Sequence, residues 1–382
     1  PKRCFSAVSM TNRFSQYTAP GINDLSPYVP GKPMDELERE LGLTRIIKLA
    51  SNENPLGSSP LAIKAATEVI SGVNLYPDDT GYGLKSRLAS SHGLDSDCFV
   101  LGSGSSDVID MLTRTFLHPG VNAVFSRYSF AMYPIYTRAS GAECRVAEAN
   151  PADHPRMPYG HNLQAMAELV DENTRIVFIA NPNNPTGTWL QRQELAQFLD
   201  DLPRHVMVLL DEAYTEYVED ELFPNGMEWL QRYPNLLVTR TFSKIYGLAG
   251  LRVGYGVADP GLVEIISRVR HPFNVNSAAL AAAEAALGDV DFVARSRRVN
   301  RTGLEQLTAV FDDMGLAYIP SAGNFIALDL QRDGTQVYER LLREGVIVRP
   351  VANYDLPRHL RITVSTRQEN DFFIQALQKV LG

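Results

Sequence analysis

Short apolar runs alternate with amphipathic stretches between residues 46 and 270. The runs have strand length and strand composition, and they lie at residues 98–101, 122–125, 175–180, 206–210 and 236–239. The stretches between them repeat apolar residues at helical spacing, at residues 107–116, 163–170 and 191–199. This alternation predicts a mostly parallel sheet covered by helices on both faces. Because such sheets bind ligands beyond the carboxyl ends of their strands, the polar residues after each run are the candidate site.

The rest of the chain predicts two further units. Residues 1–45 are rich in turn residues and predict an arm, with one helix at 34–41. After Asn276 an alanine-rich helix leads into a second block, which ends in a helix. Its other predicted elements are strands at 325–330, 346–349 and 360–364 and a helix at 336–344. We therefore predict an arm at 1–45, a large domain at 46–270 and a small α+β domain at 271–382.

Composition and charge narrow the class of protein. The chain has 382 residues, 45% of them hydrophobic, and a net charge of −8, which argues against general nucleic-acid binding. Its 3 cysteines include no close pair, so neither a disulfide framework nor a zinc or other metal site is indicated. The sequence shows neither an apolar run of membrane-spanning length nor a signal-peptide core in its first ten residues. We expect a reduced, cytoplasmic enzyme without membrane partners.

Residues 241–255 carry the most specific chemical signal. Lys244 lies in an apolar, glycine-punctuated neighbourhood, with Ser243 before it and Arg252 after it. Desolvation disfavours the ammonium form and keeps an amine nucleophilic near neutral pH. Hydroxyl and guanidinium groups suit a bound phosphate. Lysine beside a phosphate anchor predicts pyridoxal phosphate held as a Schiff base; the alternative is a lysine that only caps a loop.

Residues 102–107 predict a second phosphate contact. The sequence Gly-Ser-Gly-Ser-Ser-Asp stands between a predicted strand and a predicted helix. Free backbone amides at a helix N-terminus, such as those of Ser105 and Ser106, form an anion site when no bulky side chain intervenes. The same run is also typical of a serine N-cap in a flexible turn.

Two more polar clusters directly follow predicted strands. Residues 181–187 read Asn-Pro-Asn-Asn-Pro-Thr-Gly, a rigid run that can aim an amide such as that of Asn184 at a ligand, or form an ordinary turn. Asp211 would pair with a protonated pyridine nitrogen, which makes the ring a better electron sink, and Tyr214 would donate to the ring oxygen. Asp211 is equally typical of a helix N-cap.

Three further residues complete the candidates. Phe130 follows another predicted strand and would stack on a flat cofactor, or would belong to the core. Arg349 and Arg361 border strand-like runs of the second domain, where arginines bind an anionic substrate group or serve as surface charges.

These residues, in this order, resemble the fold-type-I pyridoxal-phosphate-dependent aminotransferases, and within them the histidinol-phosphate aminotransferases. The resemblance runs from about Leu25 to the C-terminus. It rests on residues 25–28 (Leu-Ser-Pro-Tyr), 50–57 (Ala-Ser-Asn-Glu-Asn-Pro-Leu-Gly), 76–78 (Tyr-Pro-Asp), 181–187, 211–214 (Asp-Glu-Ala-Tyr), 243–244 with Arg252, and 360–363 (Leu-Arg-Ile-Thr). Two features depart from the family pattern: Phe130 stands where tyrosine is frequent, and the run Ser105-Ser106-Asp107 stands where Ala-Asp-Glu is common.

The resemblance implies a large domain with a mostly parallel, seven-stranded sheet, and a smaller domain built from the C-terminal part and the N-terminal arm. It implies that Lys244 forms the Schiff base and moves the substrate's proton. Further cofactor contacts would come from Asp211, Tyr214, Asn184, Phe130, Ser105, Ser106, Ser243 and Arg252. Tyr76 would reach the cofactor phosphate of a partner subunit, which implies a homodimer with shared active sites. Tyr28, Asn54, Arg349 and Arg361 would bind the substrate.

The implied reaction converts histidinol phosphate and 2-oxoglutarate to imidazole acetol phosphate and glutamate, a step of histidine biosynthesis. An aromatic amino-acid aminotransferase acting on phenylalanine or tyrosine would use the same residues. A decarboxylase of a phosphorylated amino acid shares the fold and is the more distant alternative.

Overall fold

The computed structural model describes residues 12–27 and 31–382. Tyr28, a predicted substrate-binding residue, lies outside the described residues. Across the part of the chain that the structure describes, none of the helices is both long enough and apolar enough to span a membrane.

Strands and helices alternate through most of the chain. The strands are β1 Ile47–Lys48, β2 Phe99–Gly102, β3 Asn122–Ser126, β4 Glu143–Ala147, β5 Thr174–Ala180, β6 Met207–Asp211, β7 Leu236–Thr241, β8 Gly254–Ala258, β9 Ala317–Ile319, β10 Phe325–Asp329, β11 Val346–Ile347, β12 Arg349–Pro350 and β13 His359–Thr363. The helices are α1 Met34–Leu41, α2 Pro60–Val69, α3 Tyr82–His92, α4 Ser105–Phe116, α5 Met132–Ala139, α6 Leu163–Glu168, α7 Arg192–Asp201, α8 Pro260–Ser267, α9 Ser277–Ala286, α10 Val290–Asp313, α11 Gly334–Arg343 and α12 Arg367–Leu381.

The larger sheet has seven strands in the order β2-β8-β7-β6-β5-β3-β4, and β8 alone runs antiparallel to its neighbours. Side chains of β5 alternate between the two faces, as the period of two in a strand requires. Ile176 and Phe178 belong to the core on one face, and Val177 and Ile179 to the core on the other. Burial on both faces explains why these strands are continuous apolar runs, and it confirms the predicted sheet.

The sequence missed β4 and β8. β4 carries Glu143 and Arg145 on an edge of the sheet, so it lacks the apolar run of a central strand. β8 contains Gly254 and Gly256, and glycine is unfavourable in strands. Glycine is needed there because a Cβ on Gly254 would lie 2.4 Å from the backbone nitrogen of Ser105.

The smaller unit is built around a four-stranded antiparallel sheet in the order β12-β13-β10-β9. The strand predicted at 346–349 is interrupted at Val348. Its first half, β11, pairs in parallel with β1, and its second half, β12, pairs with β13. The N-terminal part of the chain therefore contributes to this unit, because Ile47 and Leu49 pack in its core.

The predicted domain boundaries stay predictions, and two contacts bear on them. Ile47 pairs with Val346 of the smaller unit, although residue 47 falls in the predicted large domain. Helix α9 was assigned to the small domain, but Ala279, Ala282 and Ala283 pack in the core of the larger sheet. These contacts favour placing α9 with the larger sheet.

Candidate active site

The carboxyl ends of the central strands meet at one cavity. Asp211 is the last residue of β6, Lys244 follows β7 by three residues, and helix α4 begins just beyond β2. Nine of the predicted site residues line this cavity: Ser105, Ser106, Phe130, Asn184, Asp211, Tyr214, Ser243, Lys244 and Arg252. Parallel strands thus bring together residues that are up to 147 positions apart in the chain, from Ser105 to Arg252.

The Lys244 amine is held among aromatic and backbone groups. Its Nζ donates to the carbonyl oxygen of Ser51 at 3.1 Å and lies 5.6 Å from the ring centre of Tyr214. Burial, reinforced by the positive charge of Arg361, lowers the pKa of Lys244 from 10.5 to about 7. A large fraction of the amine is therefore neutral and nucleophilic at neutral pH.

The Asp211 carboxylate is buried and accepts hydrogen bonds from its neighbours. The hydroxyl of Tyr133 donates to Oδ2 at 3.0 Å, and that of Thr239 to Oδ1 at 3.2 Å. Burial raises the pKa of Asp211 to about 6, and these hydrogen bonds oppose the rise. The group is largely ionised above that pH and can pair with a cation inside the cavity.

Tyr214 is oriented by a residue for which the sequence predicted no role. Asn52 donates from Nδ2 to the Tyr214 hydroxyl at 2.9 Å, which leaves the hydroxyl proton available to another acceptor. Burial raises the pKa of Tyr214 to about 12, so it is a neutral donor at physiological pH. Asn52 is itself buried, at the left-handed φ of 55°, and its N–H donates to Thr363 Oγ1 at 2.9 Å.

The N-terminus of α4 and Arg252 give one part of the cavity groups that bind an anion. Ser105 and Ser106 form the first turn of α4, where backbone N–H groups have no partners within the helix. Arg252 Nη1 donates to Ser243 Oγ at 3.2 Å. Gly104 lets the guanidinium approach, since a Cβ at this position would lie 2.4 Å from Arg252 Nη2.

Arg361 reaches the cavity through Asn184. Its Nη1 donates to Asn184 Oδ1 at 2.6 Å, and its Nη2 donates to the carbonyl oxygen of Ala50 at 2.7 Å. The guanidinium lies 5.5 Å from the ring centre of Phe325. The Arg361 guanidinium, which belongs to the four-stranded sheet, is thereby held beside the cavity at the seven-stranded sheet.

The other predicted substrate and partner residues lie away from the cavity lining. Asn54 donates from Nδ2 to the carbonyl oxygen of Ile245 at 2.7 Å and to Ser296 Oγ at 2.9 Å. Arg349 pairs in register with Arg361 and lines a separate groove beside the N-terminal arm. Tyr76 is 81% exposed and stacks on Phe273, with ring centres 4.5 Å apart. Their assigned roles stay predictions.

Sequence reasoning missed three residues whose side chains form hydrogen bonds with Asp211 or Tyr214. Tyr133 lies three positions after Phe130, a spacing that brings side chains together at a helix, and this signal was available. Asn52 lies in a quoted motif, but its contact with Tyr214 depends on tertiary packing. Thr239 faces Asp211 through the register of β6 and β7, which the sequence does not reveal.

The arrangement supports one kind of chemistry. It places a nucleophilic amine, a buried carboxylate and an anion-binding helix terminus around a space with an aromatic wall at Phe130. A flat, phosphorylated aldehyde with a basic ring nitrogen fits these groups, because each of its polar atoms meets a group of suitable charge or hydrogen-bonding type.

Comparisons with known proteins identify the family. The model of the family described as aminotransferase class I and II matches residues 44–377. The chain is 55% identical over 375 residues to histidinol-phosphate aminotransferase 2 of Pseudomonas fluorescens, covering 98% of this chain and 100% of that one. It is 53% identical over 371 residues to histidinol-phosphate aminotransferase 2 of Pseudomonas aeruginosa, covering 97% and 99%.

A solved structure has the same fold. It is histidinol-phosphate aminotransferase from Sinorhizobium meliloti in complex with pyridoxal 5'-phosphate, with a TM-score of 0.86, 29% identity and 98% of each chain covered. These comparisons confirm the resemblance seen in the motifs: the chain belongs to the aminotransferases of class I and II.

Proposed function

We propose that this chain transfers the amino group of histidinol phosphate to 2-oxoglutarate, with pyridoxal phosphate as its cofactor. The observation that carries the proposal is the position of the Lys244 amine, with its pKa lowered to about 7, in the same cavity as Asp211 and the N-terminus of α4. The choice of substrate is supported by the names of the relatives that are more than 50% identical. The products would be imidazole acetol phosphate and glutamate, a step of histidine biosynthesis.

The cavity residues would hold the cofactor at each of its polar groups. The phosphate would lie against the amides of Ser105 and Ser106, with Ser243 and Arg252 beside them. Asp211 would meet the ring nitrogen, and Tyr214 and Asn184 the ring oxygen. Phe130 would cover one face of the ring, and the Nζ of Lys244 would bond to the aldehyde carbon. The close approach of Arg252 to Gly104 supports this fit, since a larger residue would fill the phosphate end.

Once bound, pyridoxal phosphate supplies an electron sink that stabilises negative charge at the substrate's α carbon. Asp211 maintains that sink, because its carboxylate favours a proton on the ring nitrogen. Lys244 Nζ would take the proton from the α carbon once the substrate's amine has displaced it from the aldehyde carbon, and it could then return the proton as an acid. A pKa near 7 suits both roles at physiological pH.

Arginines of the four-stranded sheet would bind the anionic parts of the substrate. Arg361 is fixed by Asn184 and the Ala50 carbonyl, so its guanidinium is oriented before substrate arrives. We propose that it binds the substrate's phosphate or carboxylate, as does Arg349, with Tyr28 and Asn54 also contributing. Tyr28 lies outside the described residues.

A homodimer is part of the proposal. Tyr76 lies in an exposed stretch with several apolar residues, and it does not line the cavity of its own chain. Exposed large apolar residues near it are Ile70, Val73, Leu75 and Tyr82. An apolar stretch of this kind fits a protein interface. We propose that a second copy covers it and that Tyr76 reaches the partner's cofactor phosphate. We also propose a cytoplasmic location.

The test begins with Lys244→Ala. This variant should lose all turnover, and borohydride should no longer attach the cofactor to it. Lys85→Ala is the matched control, because Lys85 is also partly buried with a pKa lowered by burial, but it lies on α3 away from the cavity. The control should retain activity and cofactor. Full activity in Lys244→Ala would overturn the assignment.

A substrate panel separates the alternatives. We expect kcat/KM for histidinol phosphate to exceed that for phenylalanine and tyrosine. The reverse order would identify an aromatic amino-acid aminotransferase. Release of carbon dioxide from a phosphorylated amino acid without any oxo acid would identify a decarboxylase.

A further inference from the structure

Tyr133 touches two of the proposed cofactor-binding residues at once. Its side chain is fully buried in α5, and its hydroxyl donates to Asp211 Oδ2 at 3.0 Å. The same ring forms a T-shaped contact with Phe130, with ring centres 5.7 Å apart and planes at 86°. A single side chain therefore joins the residue proposed for the ring nitrogen to the residue proposed for the ring face.

Tyr133 is itself held firmly against the sheet. Its ring stacks on Phe178 of β5, with centres 4.7 Å apart and planes at 11°. Burial and the neighbouring Asp211 carboxylate raise the pKa of Tyr133 well above its usual value of 10. The hydroxyl thus keeps its proton and acts only as a donor toward Asp211.

The Asp211 carboxylate depends on such donors. A buried carboxylate without hydrogen bonds either takes up a proton or turns toward other donors. The second side-chain donor, Thr239, lies at 3.2 Å from the other oxygen, and the backbone of Ala213 also donates to the carboxylate. Of the two side-chain donors, Tyr133 makes the shorter hydrogen bond, at 3.0 Å, and its ring also packs against Phe130.

We propose that Tyr133 is a positioning residue, which holds the Asp211 carboxylate and the Phe130 ring in the relative placement that the cofactor ring requires. The inference rests on the proposed function, since it assigns a role toward the same cofactor. Tyr133 does not line the cavity, so it acts through Asp211 and Phe130 rather than by direct contact.

Tyr133→Phe removes one hydroxyl and keeps the stacked ring. Tyr233→Phe is the matched control, because Tyr233 is also buried, at 2% exposure, and its hydroxyl donates to Asp200 at 2.9 Å far from the cavity. Four quantities are measured for each protein: the dissociation constant of pyridoxal phosphate from absorbance titration, kcat and KM for the substrate, and the melting temperature of the cofactor-free protein.

Tyr133→Phe should weaken cofactor binding and lower kcat, each roughly tenfold, since a hydrogen bond to a charged group is lost. Substrate KM should change by less than about threefold, because substrate contacts remain. Tyr233→Phe should leave cofactor affinity and kcat within about twofold of the parent, even if its melting temperature falls equally. Unchanged cofactor affinity and kcat in Tyr133→Phe, or an equal loss in both variants, would overturn the inference.

Thr239→Val supplies a second variant. It removes the longer hydrogen bond to Asp211 without touching Phe130, so its effect on cofactor affinity should be smaller than that of Tyr133→Phe. A larger effect would overturn the special role of Tyr133. If the parent protein binds pyridoxal phosphate but Tyr133→Phe behaves like the parent, this inference alone fails. A parent protein that binds no pyridoxal phosphate would overturn the proposed function and this inference with it.

Discussion

Arg361 donates a hydrogen bond to Asn184 across 2.6 Å, and this contact joins the small sheet to the cavity of the large one. Arg361 belongs to β13, whereas Asn184 follows β5. An anion that binds to Arg361 would compete with Asn184 for the guanidinium. Under the proposed function, substrate binding at Arg361 would therefore affect the contact of Asn184 with the cofactor ring.

Arg361→Lys should raise the KM for the substrate by about 10- to 100-fold, because lysine cannot keep both the Asn184 and Ala50 contacts and bind an anion with two donors. Cofactor affinity should change much less. Steady-state kinetics and absorbance titration measure the two effects. Arg358→Lys is the control, since Arg358 pairs with Asp329 outside the cavity. Equal KM changes in both variants would contradict the role of Arg361.

The pH dependence of cofactor attachment should report the pKa of Lys244. The neutral amine is the nucleophile, so the attachment rate rises with pH through the pKa and levels off above it. With a pKa of about 7, the rate should approach its plateau by about pH 8. Stopped-flow absorbance of cofactor-free protein mixed with pyridoxal phosphate measures it. A rate that increases steadily up to pH 10 would show that Lys244 has the pKa of an ordinary lysine.

Gly104→Ala should weaken cofactor binding by about tenfold or more, because the added Cβ would displace the guanidinium of Arg252 from the phosphate end. Gly104 also lies at φ 84° and ψ 164°, a backbone region essentially limited to glycine, so a stability loss of about 1–3 kcal/mol accompanies the change. Gly120→Ala separates the two effects, since Gly120 lies at φ 94° with open space around it. Absorbance titration should show a loss of cofactor affinity in Gly104→Ala alone.

Asn52→Gly should lower kcat severalfold while the protein stays folded. Glycine adopts the left-handed φ of 55° without strain, but the hydrogen bond to Tyr214 is lost. Asn52→Ala should be less stable than Asn52→Gly by about 1 kcal/mol, because alanine is strained at this φ. In a Tyr214→Phe background, Asn52→Gly should have little further effect on kcat. Additive effects of the two substitutions on kcat would show that Asn52 does not act through Tyr214.

The paired substitution of Ile70 and Leu75 by glutamate should convert the protein to a monomer and reduce activity strongly, because charges would be buried at the proposed interface. Sedimentation velocity measures the assembly. Leu222→Glu is the control, since Leu222 is equally an exposed apolar residue but lies outside the stretch around Tyr76. A parent protein that sediments as a monomer would contradict the proposed homodimer.

Much of the fold could be predicted from the sequence. Residues 175–180 are apolar throughout because β5 is buried on both faces, and this pattern predicted the parallel sheet. Strands without that pattern were missed: β4 is charged at the edge of the sheet, and β8 needs glycines where α4 begins. The predicted strand at 346–349 is divided between two sheets, since tertiary pairing with β1 decides where its first half belongs.

The sequence by itself determined the chemical groups of the site, because the carboxyl ends of parallel strands converge and each strand is followed by its polar residue. That relationship brought Asp211, Lys244 and Ser105 together. The tertiary structure decided what holds those groups in place. Asn52 reaches Tyr214 over 162 positions, and Tyr133 reaches Asp211 over 78. Contacts of this kind depend on side-chain packing between segments that are distant in the sequence, so the local pattern of apolar and polar residues does not predict them.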